Sequence, residues 1–353
     1  MAAGGNHILT SVTDFLTGWT QRVYVLNTRI AESLFPRTRG ARMSRCHVGP
    51  LARATVVAVL AVFCSQPASA QDSTSDSYPG RCGSIGPAAE RGKYIALPHG
   101  DVFCPLIADP KATRSFVIYQ RGNEKDLATD IGAVGIADQF PFFRTGAVKP
   151  GDGLQLGLAG AVFAQFDLGT SSYDLLNADY LIGVPLTFRA GPFSGRARIY
   201  HQSSHLGDEL LARDNPPKRE NLSFESAEVL LSLDVSALRI YGGGEDFVRR
   251  DPVDLPERLA HGGLELRPRA NIDFGPLAVG RFVAAVDAKV VNDTTTRTGV
   301  SVRAGFEFGR PHDALAPSRR WSILAEYYNG PSPYGQFHRE QVRLTGIGLH
   351  FTL

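Results

Sequence analysis

From about residue 113 onward the chain alternates apolar and polar positions with a period of two, in stretches of roughly 8–14 residues broken by turn residues. Across Leu154–Leu168 the even positions read Leu154, Leu156, Leu158, Gly160, Val162, Ala164, Phe166 and Leu168, while Gln155, Gly157, Gln165 and Asp167 stand on the odd ones. Next, Ala178, Tyr180, Ile182, Val184, Leu186 and Phe188 alternate with Asn177, Asp179, Gly183, Thr187 and Arg189. The same holds for Ala278, Phe282, Ala284, Val286, Ala288 and Val290 against Arg281, Asp287 and Lys289, and for Val300, Val302, Ala304, Phe306 and Phe308 against Ser301, Arg303 and Glu307. Side chains of a strand point to opposite faces in turn, so this pattern predicts strands with one greasy and one charged face.

Twelve strands are predicted, near 113–121, 129–140, 153–168, 176–190, 193–205, 222–234, 236–247, 258–268, 277–291, 297–309, 319–329 and 341–353. Ala190–Phe193 and Asp234–Ala237 are tight turns, and 206–221, 248–257 and 330–340 are long polar loops at the opposite end. The strands are long enough to cross a bilayer when tilted. The final stretch puts Ile347, Leu349, Phe351 and Leu353 on one face and Gly346, Gly348, His350 and Thr352 on the other, as the closing strand of a bacterial outer-membrane barrel would. The expected fold is therefore all-β: a transmembrane antiparallel β-barrel of about twelve strands over 113–353, closed by its C-terminal strand. Arg189, Arg196, Arg198, Glu228, Arg239, Glu265, Arg267, Arg281, Asp287, Lys289, Arg303, Glu307 and Glu326 then point inward, where they form a cross-lumen network or line a pore.

The N-terminal region changes the compartment. Ala54–Cys64 is a short apolar run behind Arg45 and Arg53, followed by Pro67-Ala-Ser-Ala70. That is the layout of a secretory signal, with Met43 as its start and cleavage after Ala70. Residues 1–42 are expected to be an upstream non-native extension, 43–70 the signal peptide, and 71–112 a periplasmic lead-in. No apolar run after it approaches the roughly 20 residues a spanning helix needs. Cys82 and Cys104 remain in an oxidising compartment, and a disulfide between them would stabilise by about 3 kcal/mol in the chain-entropy model. A formal charge of +2 gives no reason to expect a nucleic-acid partner.

The densest polar cluster is Arg196–Glu209. Phe193, Ala197 and Ile199 set the lipid face, so His201, Ser203 and His205 share it, toward the loop end of the strand. On the following strand Ala227, Val229 and Leu231 set the same face, and Glu225 shares it. Polar groups there cost about 0–1 kcal/mol near the interface against 2–4 at mid-membrane. The three residue types suit acyl transfer: Ser203 as nucleophile, His201 as base, and Glu225 to orient the imidazole. The spacing of two leaves Ser203 and His201 about 6–7 Å apart at Cα. A metal shared by His201 and His205 does not fit, since a strand separates them by about 13 Å. No metal and no cofactor is expected.

Tyr200-His-Gln-Ser-Ser-His-Leu-Gly-Asp-Glu209, with Ala178-Asp-Tyr180, Asn221–Glu225, Tyr241-Gly-Gly-Gly244 and Gly330–Phe337, resembles the bacterial family named domain of unknown function 1207. The resemblance covers nearly all of 100–353 and implies an uncharacterised outer-membrane barrel. Over about thirty residues, His201-x-Ser203 followed by Glu225 is also similar to the site of the lipid A deacylase barrels. That likeness implies hydrolysis of an ester-linked acyl chain, with the oxyanion places falling on Ser204 and Gly207. Expected partners are outer-membrane lipid, lipopolysaccharide, and the barrel-assembly machinery through the C-terminal strand. Three functions stay open on the residues alone: a catalytically silent barrel, a lipid acyl-ester hydrolase, and a narrow solute channel.

Overall fold

A computed structural model describes residues 94–98, 100–124, 128–145, 152–268, 272–275, 278–292, 297–309 and 320–352. The expected signal segment and Cys82 lie outside the described residues; Cys104 is disulfide-bonded. Twelve strands close a ring: β2 (Ser115–Glu124), β3 (Ala128–Thr145), β4 (Gly153–Asp167), β5 (Leu175–Ala190), β6 (Phe193–Leu206), β7 (Leu222–Val235), β8 (Leu238–Asp251), β9 (Arg258–Leu266), β11 (Val279–Asn292), β12 (Arg297–Gly309), β13 (Arg320–Pro331) and β14 (Gln341–Thr352). Every neighbour in the ring is antiparallel, and β14 pairs with β2 from Leu344↔Gly122 to Phe351↔Ser115, which seals it. Two short strands, β1 (Tyr94–Ala96) and β10 (Ile272–Asp273), add to β3 and β11 at one end. That end also holds the tight turns after β5 and β7, where Gly191 and Ser236 take positive φ, and is the turn end of the barrel. Contrary to the expectation of short connections there, the link from β9 to β11 is long and carries β10.

The period-two pattern is inverted relative to a soluble protein. Ile199, Leu231 and Ile182 are 69%, 56% and 56% exposed on the outer face, whereas Arg239, Glu265, Asp234 and Arg189 are buried inside. Phe188 and Phe306 also face outward. Strand packing is tight on the lumen side of β8, where a Cβ on Gly243 would lie 1.9 Å from the Val229 carbonyl oxygen. Within the Gly242–Gly244 run, Gly243 is thus a close-approach position of the sheet.

The lumen is filled by the chain itself. Residues 101–114, just before β2, run inside the ring, and Val102 through Asp109 are buried there. An irregular segment away from water needs partners for its backbone groups. Inward arginines supply them. Arg189 Nε donates to Val102 O (2.8 Å), Arg239 Nη1 to Cys104 O (3.2 Å) and Arg303 Nη1 to Ile107 O (2.9 Å), while Ile107 N–H donates to Glu265 Oε1 (2.6 Å). Phe103 lies under the guanidinium groups of Arg239 and Arg196, at 4.4 and 5.3 Å from its ring centre. Around this segment Arg189 pairs with Asp234, Arg239 and Arg267 with Glu265, Arg303 with Glu326, and Arg281 and Arg320 with Glu307.

The opposite, loop end departs from a uniformly polar interior. An apolar cluster that includes Phe163, Leu181, Tyr200, Leu206 and Phe224 lies inside, joined by Leu210 of the short helix α1 (Asp208–Leu211) and by Tyr334 and Phe337. The stretches 206–221 and 330–340, expected as projecting loops, therefore fold back over the barrel mouth. The 248–257 loop is shorter than expected, because β8 continues to Asp251.

Candidate functional site

On β6 the outward row runs Phe193, Ala197, Ile199, His201, Ser203, His205, passing from apolar to polar toward the loop end. His201 is paired across the ladder with Glu225 of β7 and Ile182 of β5; Ser203 is paired with Ser223 and Tyr180. Directly paired residues of neighbouring strands share a face. His201 Nδ1 and Glu225 Oε1 are 3.1 Å apart, with side chains 42% and 37% exposed. The sequence-predicted trio thus lies on one outward face, with two members joined by a hydrogen bond. Among the described residues no hydrogen bond joins Ser203 to His201.

A β-bulge shapes the next strand. The β7–β8 register moves from Glu225↔Arg249 to Ser226↔Phe247, which leaves Val248 unpaired and outward. One extra residue flips the parity of the strand beyond it. As a result Arg249 shares the face of Glu225, with Nε 3.9 Å from Oε2, while Phe247 packs inside against Phe224. Tyr180 and His205 make an edge-on ring contact at 5.9 Å beside Ser203. From this polar rim a shallow groove of about 520 Å³ extends over β5, β4 and β3, lined by Ile182, Val162, Leu158, Ile136 and Phe140, with His201 and Ser203 on its edge. Gly160 lies in its floor and has nothing within 4 Å of where a Cβ would sit.

The two residues expected to bind an oxyanion lie elsewhere. Ser204 points into the lumen, as the residue after an outward Ser203 must, and is fully engaged there. Its hydroxyl donates to Asp179, with Asn177 Oδ1 a second acceptor within reach (2.9 Å), and accepts from Gln336 N–H (3.1 Å). Gly207 N–H donates to Leu176 O at 3.2 Å, and a Cβ there would meet Leu175 O at 1.8 Å. Gly207 is a close-packing position at the start of α1.

Sequence reasoning missed a second polar centre in the lumen. Asp109, His261 and Asp287 bring candidate metal-ligand atoms within 4.8 Å of one another. His261 Nε2 lies 2.6 Å from Asp287 Oδ2, which also accepts from Tyr241 Oη (2.6 Å), and Lys289 Nζ donates to Asp109 Oδ1 (2.7 Å). Burial would raise the Asp109 carboxyl, but Lys289 and His261 hold it well below the ordinary carboxylate range. Asp109 comes from the aperiodic lead-in, so no pattern announced it. Asp179 is a further junction: it takes Lys111 from the lumen segment, Ser204 from β6 and the Gly335 N–H from the folded-back loop.

Among solved structures the chain is similar to outer-membrane phospholipase A from Escherichia coli, at 12% identity over 79% of this chain and 99% of that one, with a TM-score of 0.47. It is similar to the Salmonella typhi outer-membrane phospholipase dimer with bound calcium, at 12% identity over 73% and 93% with a TM-score of 0.45, and to the β-domain of the Bordetella autotransporter Brka, at 12% over 67% and 96% with a TM-score of 0.38. No curated protein matches the sequence. A family model described as protein of unknown function (DUF1207) matches residues 75–353, and the chain belongs to that family.

Proposed function

We propose that the chain is an acyl-ester hydrolase of the outer membrane that works on lipid from the outward face of its barrel. The hydrogen bond between His201 and Glu225, on the same lipid-facing rim as Ser203, carries the reading. With Nδ1 held by Glu225, the imidazole keeps Nε2 for the Ser203 hydroxyl. Ser203 Oγ attacks the ester carbonyl, His201 takes its proton and returns it to the departing alcohol, and water then hydrolyses the acyl-Ser203 ester. The apolar groove beside them suits the acyl chain. Unliganded catalytic hydrogen bonds are often long, and side-chain rotation on bound ester would close the Ser203–His201 gap.

Glycerophospholipid and the acyloxyacyl sugar lipid of lipopolysaccharide both offer such an ester. Purified protein is mixed with each in detergent, and released fatty acid is read by mass spectrometry. Wild type is expected to release acid from one of them, and Ser203→Ala to lose at least about 10³-fold with the barrel intact. Lipids unchanged by wild type in both arms would sink the hydrolase. A second reading, a sealed barrel of structural role, is favoured by the lumen segment at 101–114. It predicts no conductance in planar bilayers. On either reading the membrane's own lipids and the assembly machinery meeting β14 are the proposed partners.

A further inference from the structure

A cavity of about 180 Å³ lies inside the barrel between the lumen segment, at Asp109–Lys111, and the folded-back residues 331–338. It is distinct from the outward face of Ser203. Cavities of roughly 150 Å³ take up benzene, so this one admits a small ring or a short chain. Its wall is largely apolar, with Leu222, Phe224, Phe247, Leu259 and Val291 among its members.

Its charges are not evenly matched. Lys289 is held by Asp109, Lys111 by Asp179, and Arg198 by Glu228 at 2.9 Å. Glu228 is saturated, with Arg196 on Oε1 and Arg198 on Oε2. Glu245 differs. It is 8% exposed, and among the described residues no Lys, Arg or His lies within ion-pair distance of it. Both hydrogen bonds it accepts, from Tyr200 Oη and from Ser226 Oγ (2.6 Å), fall on Oε1, and no described donor reaches Oε2. Oε2 is thus open to the cavity with no described protein donor, and a ligand that supplies one completes its hydrogen bonding.

We infer that this cavity is a binding site for a small organic ammonium compound, its cationic nitrogen on Glu245 Oε2 and its apolar body against Phe224, Phe247 and Leu222. Inorganic anions and neutral isosteres fit it less well, because Lys111, Arg198 and Lys289 of the wall are each already paired with a carboxylate. The test uses folded full-length barrel in detergent, with heat-shifted electrophoresis as the fold control. Isothermal titration compares phenethylammonium, 2-phenylethanol and phenyl phosphate. Phenethylammonium is expected to bind at least tenfold tighter than the other two. Glu245→Gln keeps acceptors for Tyr200 and Ser226 and is expected to bring the ammonium-to-alcohol ratio close to one. Val291→Phe, which fills the space without touching charge, is expected to weaken both about equally. Equal binding of ammonium and alcohol by wild type, a ratio that survives in Glu245→Gln, tighter binding of the phosphate, or no binding of any probe would each overturn the assignment.

Discussion

The lumen and the outer rim are both rich in ionisable side chains, yet they are built on opposite terms. Inside, Glu265 is fully buried and accepts from Arg239, Arg267 and the Ile107 amide together. On the rim, His201 and Glu225 are each more than a third exposed and share one hydrogen bond, next to a serine hydroxyl with no hydrogen bond to His201. Ion pairing at full burial marks the first set as structural, because buried charge persists only when paired. The second set has room for a substrate. Charge alone does not separate scaffold from site; burial and ion pairing do.

The sharpest way to break this contrast is to strip a lumen carboxylate. Glu265→Ala removes the carboxylate that faces the buried Arg239 and Arg267 and is expected to cost about 3–5 kcal/mol or to abolish folding. Urea titration followed by heat-shifted electrophoresis measures it, and a loss under about 1 kcal/mol would show the network to be incidental. The rim should respond in the reverse sense. Glu225→Ala is expected to cost less than about 1 kcal/mol in the same titration, since the pair is exposed. Turnover of the acyl ester should nevertheless fall at least about 100-fold through loss of imidazole orientation.

The smallest effect concerns the turn end. Burial pushes the Asp101 carboxyl up to about 6, against the Gln155 hydrogen bond and the Arg144 charge. Its folded pKa then exceeds its ordinary value of 3.8, so between these limits the folded state binds more protons than the unfolded one. Stability should decline as pH rises from about 4 to 6, by no more than about 1.4 kcal/mol per pH unit, and Asp101→Asn should flatten that slope. A stability curve that rises over this window, or a slope that persists in the variant, would count against a buried protonated Asp101.

Much of this was legible because the sheet reports itself in parity. The strands β4 to β7 and β11 to β14 begin and end within a few residues of where alternation starts and stops. Parity alone also puts His201, Ser203 and Glu225 on one face. Applied strictly, it excludes Ser204 as an oxyanion donor, since neighbours on a strand face opposite ways. Two features had no such signal. The bulge at Val248 sits in a Phe-Val-Arg-Arg run that alternates equally well in either register. The lumen segment has no period at all, because its backbone is satisfied by its own Arg114 and by arginines that arrive from strands 87 to 196 residues away rather than by a ladder.

One amide inside the ring offers a further handle. The Ile107 N–H is given to a carboxylate of β9 and has no route to water while the segment stays seated. Its exchange with deuterium therefore requires the segment to leave or the wall to part. If Ile107 exchanges as slowly as the amides of β12 and β13, the segment is withdrawn only when the whole cylinder opens; faster exchange at that one position would reveal a bolt that slides while the wall stands.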